Sequence, residues 1–521
     1  MLFRSPVALE LARRRGFGLV YDCLDDYAGF GNFGAEVLRQ EEALVRAAEL
    51  VVPSSRALAE RFEPHARRVT LIPNGCDAAH FAGAEPHPSL VDLPRPRLGY
   101  FGAIAGWFDD ELVAAAARAY PHGSVVLIGA AGESAKRALQ DLPNLHFLGE
   151  CDYAVLPSYL AAFDVALIPF RRTALTLATH PVKLFEYLAA GKPVASVRLP
   201  EIERFEDVVH FGDTPAAFVA AVGEALAAPA EEAERRRTVA RRNHWDARAE
   251  ALDLAMREAA PSFSVVMVTW NNWDYTRLCL DRLLACLPPS GSEIVIVDNA
   301  SSDGTRLGLH GYACQHPEVR VLFNDENRGF AAACNQGLRA ARRDLLVLLN
   351  NDTLVTPGWL RRLARWLEDP GIGLVGAVTN VAGNEARIDA HYVDLAGLDR
   401  FADERGWSSV GRGFDIPMLA MFCLAMRRDV LEAVGWLDER FEVGFFEDDD
   451  YARRVRSTGK RVVCAEDVFI HHFGGASFGR LEGRRRRSLF ELNRQRFETK
   501  WAEAWVPHRH APPPAAESRR P

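Results

Sequence analysis

Three clusters of side chains in the second half of this sequence have the types and spacing that chemistry needs. Asn350-Asn351-Asp352 follows five consecutive apolar residues, Leu345 to Leu349. Glu447-Asp448-Asp449-Asp450 follows the apolar Val443-Gly444-Phe445-Phe446, and His471-His472 precedes a Gly-Gly turn. Carboxylates accept protons and bind hard divalent cations through oxygen, and an imidazole can share such a site. Plainer readings stand beside these. Asx residues cap helices, and Thr353 with Pro357 could start one. Four acids at a helix start suit the macrodipole, and a His pair beside glycines suits a surface loop.

The elements that must position these side chains are visible as patterns. Leu345 to Leu349 is too short for a membrane span and lacks helical spacing, so it predicts a buried strand ending in polar residues. Ligands of open parallel α/β sheets bind beyond the carboxyl ends of the strands, which is where Asn350, Asn351 and Asp352 fall. Phe263–Asn272 and Glu293–Asn299 are similar runs, the second followed by the turn Ser301-Ser302-Asp303-Gly304. Val319–Phe323 is a third, leading into Asn327-Arg328-Gly329 and a small-residue helix that includes Asn335. This alternation predicts a mostly parallel sheet whose polar strand ends share one rim.

The motifs Thr269-Trp-Asn271, Val297-Asp-Asn-Ala-Ser-Ser-Asp-Gly304, Glu326-Asn-Arg-Gly-Phe-Ala331 with Asn335, Leu349-Asn-Asn-Asp352, Gly435-Trp-Leu-Asp-Glu-Arg-Phe441, Phe446-Glu-Asp-Asp-Asp-Tyr451 and His471-His-Phe-Gly-Gly-Ala-Ser477 occur in one order. From about Pro261 to Trp505 the chain thereby resembles family 2 glycosyltransferases of the GT-A fold, with the rhamnosyltransferase-like members nearest. The resemblance implies a divalent metal, Mg²⁺ or Mn²⁺, held by Asp352 and a histidine, with His471 favoured over His472. Asn350 stands where the family's Asp-x-Asp motif has its earlier acid, which weakens the metal site or leaves a ribose contact. Asp448 would be the base and Glu447 would bind or orient the acceptor. Thr269 and Asn271 would contact the base or ribose of the donor, and Asp298 the pyrimidine ring N–H. Asn327, Arg328 and Asn335 would lie near the diphosphate, with Asn350 and Asn351 also on the donor side. Direct displacement by an acceptor oxygen implies inversion.

Residues 1–228 alternate strand and helix separately. Strands are expected at Leu19–Tyr21, Leu50–Val52, Val69–Ile72, Arg97–Phe101, Val125–Ile128, Asp164–Ile168 and Val194–Val197. Ile72-Pro-Asn-Gly75, Gly99-Tyr-Phe-Gly102 and Pro181-Val-Lys-Leu-Phe-Glu-Tyr-Leu-Ala-Ala-Gly-Lys-Pro-Val194 resemble the donor-binding half of family 4 glycosyltransferases of the GT-B fold. That resemblance implies donor contacts from Lys183 and Glu186, and a helix N-terminus aimed at a phosphate. The family's other Glu, eight residues earlier, is Ala178 here. The GT-B fold needs an N-terminal acceptor-binding domain, and only 98 residues precede Gly99, so a truncated domain is expected. It would be a working second transferase, a degenerate domain kept for assembly or acceptor capture, or a site completed by a partner chain.

The expected fold class is therefore α/β with two nucleotide-binding-type domains. A Rossmann-like GT-B domain spans 1–228, a solvated helical connector 229–260, and a GT-A domain 261–506. Residues 507–521, rich in Pro, Ala and Arg, form a disordered tail. A length of 521 residues with 48% hydrophobic content supports two globular cores, and a net charge of −8 argues against general nucleic-acid binding. Nine scattered cysteines without a Cys-x-x-Cys pair predict reduced thiols in the cytoplasm and no structural zinc. No signal peptide is expected, and no run reaches the roughly 20 apolar residues of a membrane helix. Arg484–Arg487 could touch an anionic membrane surface peripherally, or lie on a solvated helix face.

The expected function is transfer of a sugar from a UDP- or dTDP-sugar, rhamnose among the candidates, to a glycan or lipid-linked acceptor in cell-surface polysaccharide synthesis. The alternatives are a bifunctional enzyme with both domains active, a sugar-phosphate nucleotidyltransferase, and a non-catalytic nucleotide- or glycan-binding scaffold. A nucleotidyltransferase usually opens with a Gly-rich loop holding a basic residue, and Thr269-Trp-Asn-Asn-Trp273 is not one.

Overall fold

The computed structural model describes residues 6–31, 33–288, 291–474 and 483–508. The chain divides into two compact units, Leu19–Met256 and Val7–Gly18 with Arg257 onward. Helix α1 (Pro6–Arg15) therefore belongs to the second unit and not to the N-terminal domain in which the sequence placed it.

The first unit opens with two parallel strands, β1 (Val20–Cys23) and β2 (Leu50–Pro53). Its core is a six-stranded, all-parallel sheet of β3 (Arg97–Phe101), β4 (Ser124–Ile128), β5 (Leu145–Gly149), β6 (Val165–Ile168), β7 (Val194–Ser196) and β8 (Val209–Phe211). The spatial order is β5-β4-β3-β6-β7-β8. The chain moves outward from β3 on one side and resumes at β6 on the other, so the switch point lies between β3 and β6. β3, β4 and β6 are buried on both faces, as their unbroken apolar runs require. β5 and β8 escaped the sequence pattern; β5 is an edge strand with its last residues exposed. Val69–Ile72, expected as a strand, makes only an isolated bridge from Val69 to Val51.

Helix α2 (Val182–Ala189) joins β6 to β7 and is followed later by α3 (Glu232–Arg242) and α4 (Trp245–Ala259). The segment 229–260 is not a solvated connector throughout. Arg236 and Ala240 of α3 are buried, with Arg236 Nη1 donating to Gly191 O at 3.4 Å, and Cys76 N donates to Asn243 O at 3.0 Å. The Glu/Arg-rich composition hid one buried stripe.

The second unit is built on β9 (Phe263–Thr269), β10 (Glu293–Asp298), β11 (Val319–Phe323), β12 (Leu345–Asn350), β13 (Thr353–Leu354), β14 (Ile372–Val378), β15 (Gly413–Asp415), β16 (Cys423–Arg427), β17 (Arg461–Phe469) and β18 (His471–His472). Eight of them form one mixed sheet in the order β11-β10-β9-β12-β16-β14-β17-β15. β11, β10, β9 and β12 run parallel. β16 is antiparallel to both β12 and β14, and β17 is parallel to β14, so six of the eight strands share a direction. β13 and β18 form a separate two-stranded ladder at the carboxyl ends of β12 and β17.

The helices that matter here are α5 (Trp273–Cys286), α6 (Phe330–Ala340), α7 (Trp359–Leu367), α8 (Glu447–Ser457) and α9 (Gly483–Trp501). α1 is fixed to α7 through its last carbonyls. Arg362 donates to Arg14 O at 2.8 Å, Arg365 donates to Arg13 O at 2.5 Å, and Arg15 pairs with Asp403. Cationic donors at a helix C-terminus satisfy carbonyls that have no partner within the helix. Among the described residues no helix is long and apolar enough to cross a membrane. Arg484–Arg487 fall in α9, with the side chains of 484 and 485 outside the described residues, as is the tail from 509 on.

Candidate active site

The topology of the second unit gathers the chemistry-bearing clusters on one rim. β9, β10 and β12 end at Thr269, Asp298 and Asn350, and β17 runs the same way into His471-His472. α8 ends at Ser457 just before β17 begins at Arg461, so it runs back across the sheet and presents its N-terminus, with Glu447 and Asp448, to the same rim.

The β13/β18 ladder sets the metal-type pair. Thr353 is opposite His472 and Leu354 opposite His471, and Phe473 N donates to Asp352 O at 3.0 Å. His472 Nε2 lies 3.2 Å from Asp352 Oδ1, whereas His471 Nδ1 lies 2.5 Å from the Tyr392 hydroxyl. The histidine beside Asp352 is thus His472, not the favoured His471. Adjacent strand residues point to opposite faces, so only one of the pair could meet Asp352, and the motif carries no signal for the register. Burial pushes the His472 imidazole toward neutrality, but the Asp352 hydrogen bond and charge outweigh it and raise the pKa; Val381 O, 3.0 Å from Nδ1, adds to this. Among the described residues no group of three or more His, Cys, Asp and Glu side chains is placed to hold a metal ion.

The acidic run is sorted by its neighbours. Asp450 is fully buried, neutralised by Arg454 Nε at 2.9 Å and Lys500 Nζ at 2.5 Å, and accepts a hydrogen bond from Trp501 Nε1 at 3.0 Å. Asp449 Oδ1 accepts from Trp505 Nε1 at 3.1 Å and lies 2.8 Å from His508 Nε2. Glu447 is buried, its Oε2 without a hydrogen-bond partner among the described residues; burial, then the charges of Asp448 and Asp449, hold its pKa well above the carboxylate range. Burial and the Asp449 charge push Asp448 up to about 7, against the Asp449 N–H and the charge of His508.

The turn feeding α8 is strained. Val443, Phe445 and Phe446 have φ of 65°, 73° and 73°, in the left-handed region that non-glycine residues avoid. One buried amide holds it, since Asn493 Nδ2 donates to Gly444 O at 2.8 Å, to Glu442 O at 3.2 Å and to Phe445 O at 3.4 Å. A second amide acts upstream. Asn335 Oδ1 accepts from Leu437 N and its Nδ2 donates to Leu437 O and Glu439 Oε1, each at 2.9 Å. Asn335 is 1% exposed and clasps the chain leading to Asp448, so it is not a diphosphate contact.

The donor-side residues divide similarly. Thr269 and Asn351 are buried, with Asn351 Nδ2 donating to Thr269 Oγ1 at 3.2 Å and Thr276 Oγ1 at 2.9 Å. They join β9, β12 and α5, and leave no surface for a base or ribose. Asn271, at φ 58°, accepts from Ser302 N at 2.7 Å and ties two rim loops together. Asp298 Oδ2 accepts from Ser301 N at 3.3 Å, while Oδ1 has no hydrogen-bond partner among the described residues. Asn327 and Arg328 are exposed in a loop held by Asn299, which accepts from Arg328 N at 3.0 Å and donates to Asn327 Oδ1 at 2.9 Å. Asn350 is half-buried at the end of β12. Asn299 lay within a recognised motif; Asn493 and Tyr392 had no signal, because their partners are distant in sequence.

In the first unit Lys183 and Glu186 lie at the switch point. Lys183 Nζ stands 4.7 Å from the Phe170 ring centroid and 5.4 Å from that of Tyr100. A Cβ on Gly102 would come within 3.3 Å of Lys183 Cε, so this glycine, at φ 130°, gives the ammonium its space. Burial lowers Lys183 to about 8, against the charges of Glu186 and Asp25. Glu186 Oε1 accepts from Tyr153 OH at 3.2 Å, and burial raises its pKa.

Two family models match separate parts of the chain. Residues 264–435 match the model for "Glycosyl transferase family 2" and residues 95–228 that for "Glycosyl transferases group 1". The "Putative teichuronic acid biosynthesis glycosyltransferase TuaH" of Bacillus subtilis is 26% identical over 253 residues, 44% of this chain and 64% of that protein. "Glycosyltransferase AglE" of Haloferax volcanii is 26% identical over 219 residues, 42% of this chain and 68% of that protein. The chain spans less than two thirds of the length of several such relatives, down to 17% for "O-antigen biosynthesis protein RfbC" of Myxococcus xanthus. Among solved structures, the mannosyltransferase PcManGT of Pyrobaculum calidifontis aligns at TM-score 0.36 and 24% identity, over 48% of this chain and 68% of that one. Anabaena Alr3699/HepE aligns at TM-score 0.39 and 20% identity, over 48% and 73%. The chain thus carries a group 1 glycosyl transferase domain of GT-B type in its first half and a family 2 glycosyl transferase domain of GT-A type in its second.

Proposed function

We propose that the second unit transfers a sugar from a pyrimidine nucleoside diphosphate, a UDP- or dTDP-sugar with rhamnose among the candidates, to a glycan or lipid-linked acceptor, inverting the anomeric centre. The observation that carries this is the placement of Asp448 on the same rim as the Asp352–His472 pair. Asp448 accepts the proton of the acceptor hydroxyl as it attacks, and Glu447 orients that acceptor. Asp298 is buried at the end of β10, and its Oδ1, with no hydrogen-bond partner among the described residues, is the acceptor assigned to the ring N–H of a uracil or thymine. Asn327 and Arg328 face the diphosphate.

Asp352 and His472 fit Mg²⁺ or Mn²⁺, because one oxygen and one nitrogen donor leave the remaining positions to phosphate oxygens. When bound, the ion neutralises the leaving diphosphate. The product belongs to cell-surface polysaccharide, made at the cytoplasmic side, with Arg486 and Arg487 available to an anionic membrane surface. The test is release of nucleoside diphosphate from UDP-glucose, dTDP-rhamnose and GDP-mannose with and without Mn²⁺. Release from the pyrimidine donors alone, lost in Asp448→Asn, supports the reading; release unaffected by that change removes it.

A second reading rests on Lys183 and Glu186 at the switch point of the first unit, a cation and a carboxylate poised for the diphosphate and ribose of another donor. The chain would then be bifunctional. Nucleotide binding lost in Lys183→Met would identify this site; binding unchanged by it would leave the first unit a scaffold.

A further inference from the structure

We infer that Trp505 and His508, from the segment following α9, are positioning residues for the Asp448 carboxylate: they grip Asp449 from one side, and His508 supplies the counter-charge that lets Asp448 ionise beside it. The inference rests on the reading of Asp448 as base. Both ring nitrogens address the same oxygen, Asp449 Oδ1, Trp505 Nε1 at 3.1 Å and His508 Nε2 at 2.8 Å. Asp449 N in turn donates to Asp448 Oδ1 at 3.0 Å, so fixing Asp449 fixes the base. The Trp505 ring packs edge-on against Phe446, centroids 5.2 Å apart, which places the grip next to the strained turn. Trp505 N donates to Glu498 Oε1 at 3.0 Å and Glu503 pairs with Arg453, anchoring the segment at both ends.

Charge explains why the grip includes a histidine. Four acids open α8, and among the described residues Asp450 pairs with Arg454 and Lys500 while Asp449 pairs with His508. An ionised Asp449 uncompensated beside Asp448 would keep the base protonated. His508 faces Asp449 and Asp448 from α8 and Glu385 from the loop between β14 and β15, and their charges raise its pKa against the effect of burial. Arg453 and Arg456 line the adjoining cavity of about 490 Å³, with Arg453 engaged by Glu503. Glu385 is itself buried, its Oε2 without a hydrogen-bond partner among the described residues, a third carboxylate whose field His508 offsets.

The experiment follows the His508 imidazole by NMR in the full chain labelled at histidine, assigned with His508→Gln, in wild type and in Asp448→Asn. The expected result is titration above the ordinary value of about 6.5 in wild type, falling by about half a pH unit or more in Asp448→Asn. An unchanged titration overturns the inference. Where the chain releases nucleoside diphosphate from a pyrimidine donor, His508→Gln moves the acid limb of kcat/KM upward by about half a unit with donor KM kept, and His508→Lys restores it. A uniform loss at every pH would mean that His508 only props the fold, and would also overturn it. A chain that releases nothing from any donor removes the transfer reading alone, because the titration still decides the link between His508 and Asp448.

Discussion

His472 Nε2 faces Asp352 Oδ1 at 3.2 Å across a two-residue ladder, while its neighbour His471 turns to the Tyr392 hydroxyl. A one-residue change of register would exchange the two. His472→Ala is therefore expected to abolish Mn²⁺ binding to the second unit, and His471→Ala to leave it within a few-fold of wild type. Electron paramagnetic resonance of free Mn²⁺ reads both.

Asp448→Asn should reduce turnover by ~10²–10⁴ while donor affinity stays, because the base acts in the transfer step and not in binding. Since Asp448 is pushed up to about 7, turnover should rise with pH through that value in the wild type. The same shift affects stability with a fixed sign. A carboxyl whose folded pKa is raised keeps its proton longer in the folded chain, so stability falls as pH rises from about 4 to about 7. The fall should be shallower in Asp448→Asn, measured as urea midpoints against pH.

Asn493→Leu removes the only amide that holds three carbonyls of the strained turn, among the described residues. The expected cost is about 1–3 kcal/mol in urea unfolding, with a larger loss of turnover than of donor binding, because the turn aims Glu447 and Asp448. Equal loss of turnover and donor binding would assign Asn493 to the donor side.

Lys183, lowered to about 8 by burial, should lose its charge as pH rises through that value. On the second, bifunctional reading, UDP binding measured calorimetrically in Asp352→Ala weakens between pH 6.5 and 9 and is absent in Lys183→Met. Binding that strengthens with pH would exclude an ammonium–phosphate contact.

The strands β3, β4, β6, β9, β10, β11 and β12 and the strand ends that carry Asp298 and Asn350 were legible as apolar runs stopping at polar clusters, whereas the order of strands in either sheet was not. The local motifs named the residues but not their directions. Thr269, Asn351 and Asn335 sit in motifs yet face inward, where they satisfy hydrogen bonds to Thr276 and Leu437 that only the fold creates. α1 was assigned to the wrong unit because its anchors, Arg362 and Asp403, lie far along the chain. The ladder register that selects His472 is likewise a tertiary fact.

The most direct measurement is donor-induced thermal stabilisation of the full chain with UDP-, dTDP- and GDP-sugars, with and without Mn²⁺, in wild type, Asp352→Ala and Lys183→Met. A ligand at 100 times its dissociation constant adds about 2.7 kcal/mol, which is readily detected. The account predicts a Mn²⁺-dependent shift with a pyrimidine donor that vanishes in Asp352→Ala and survives in Lys183→Met. A shift that ignores the metal, survives Asp352→Ala and disappears in Lys183→Met would place the donor in the first unit and contradict the account.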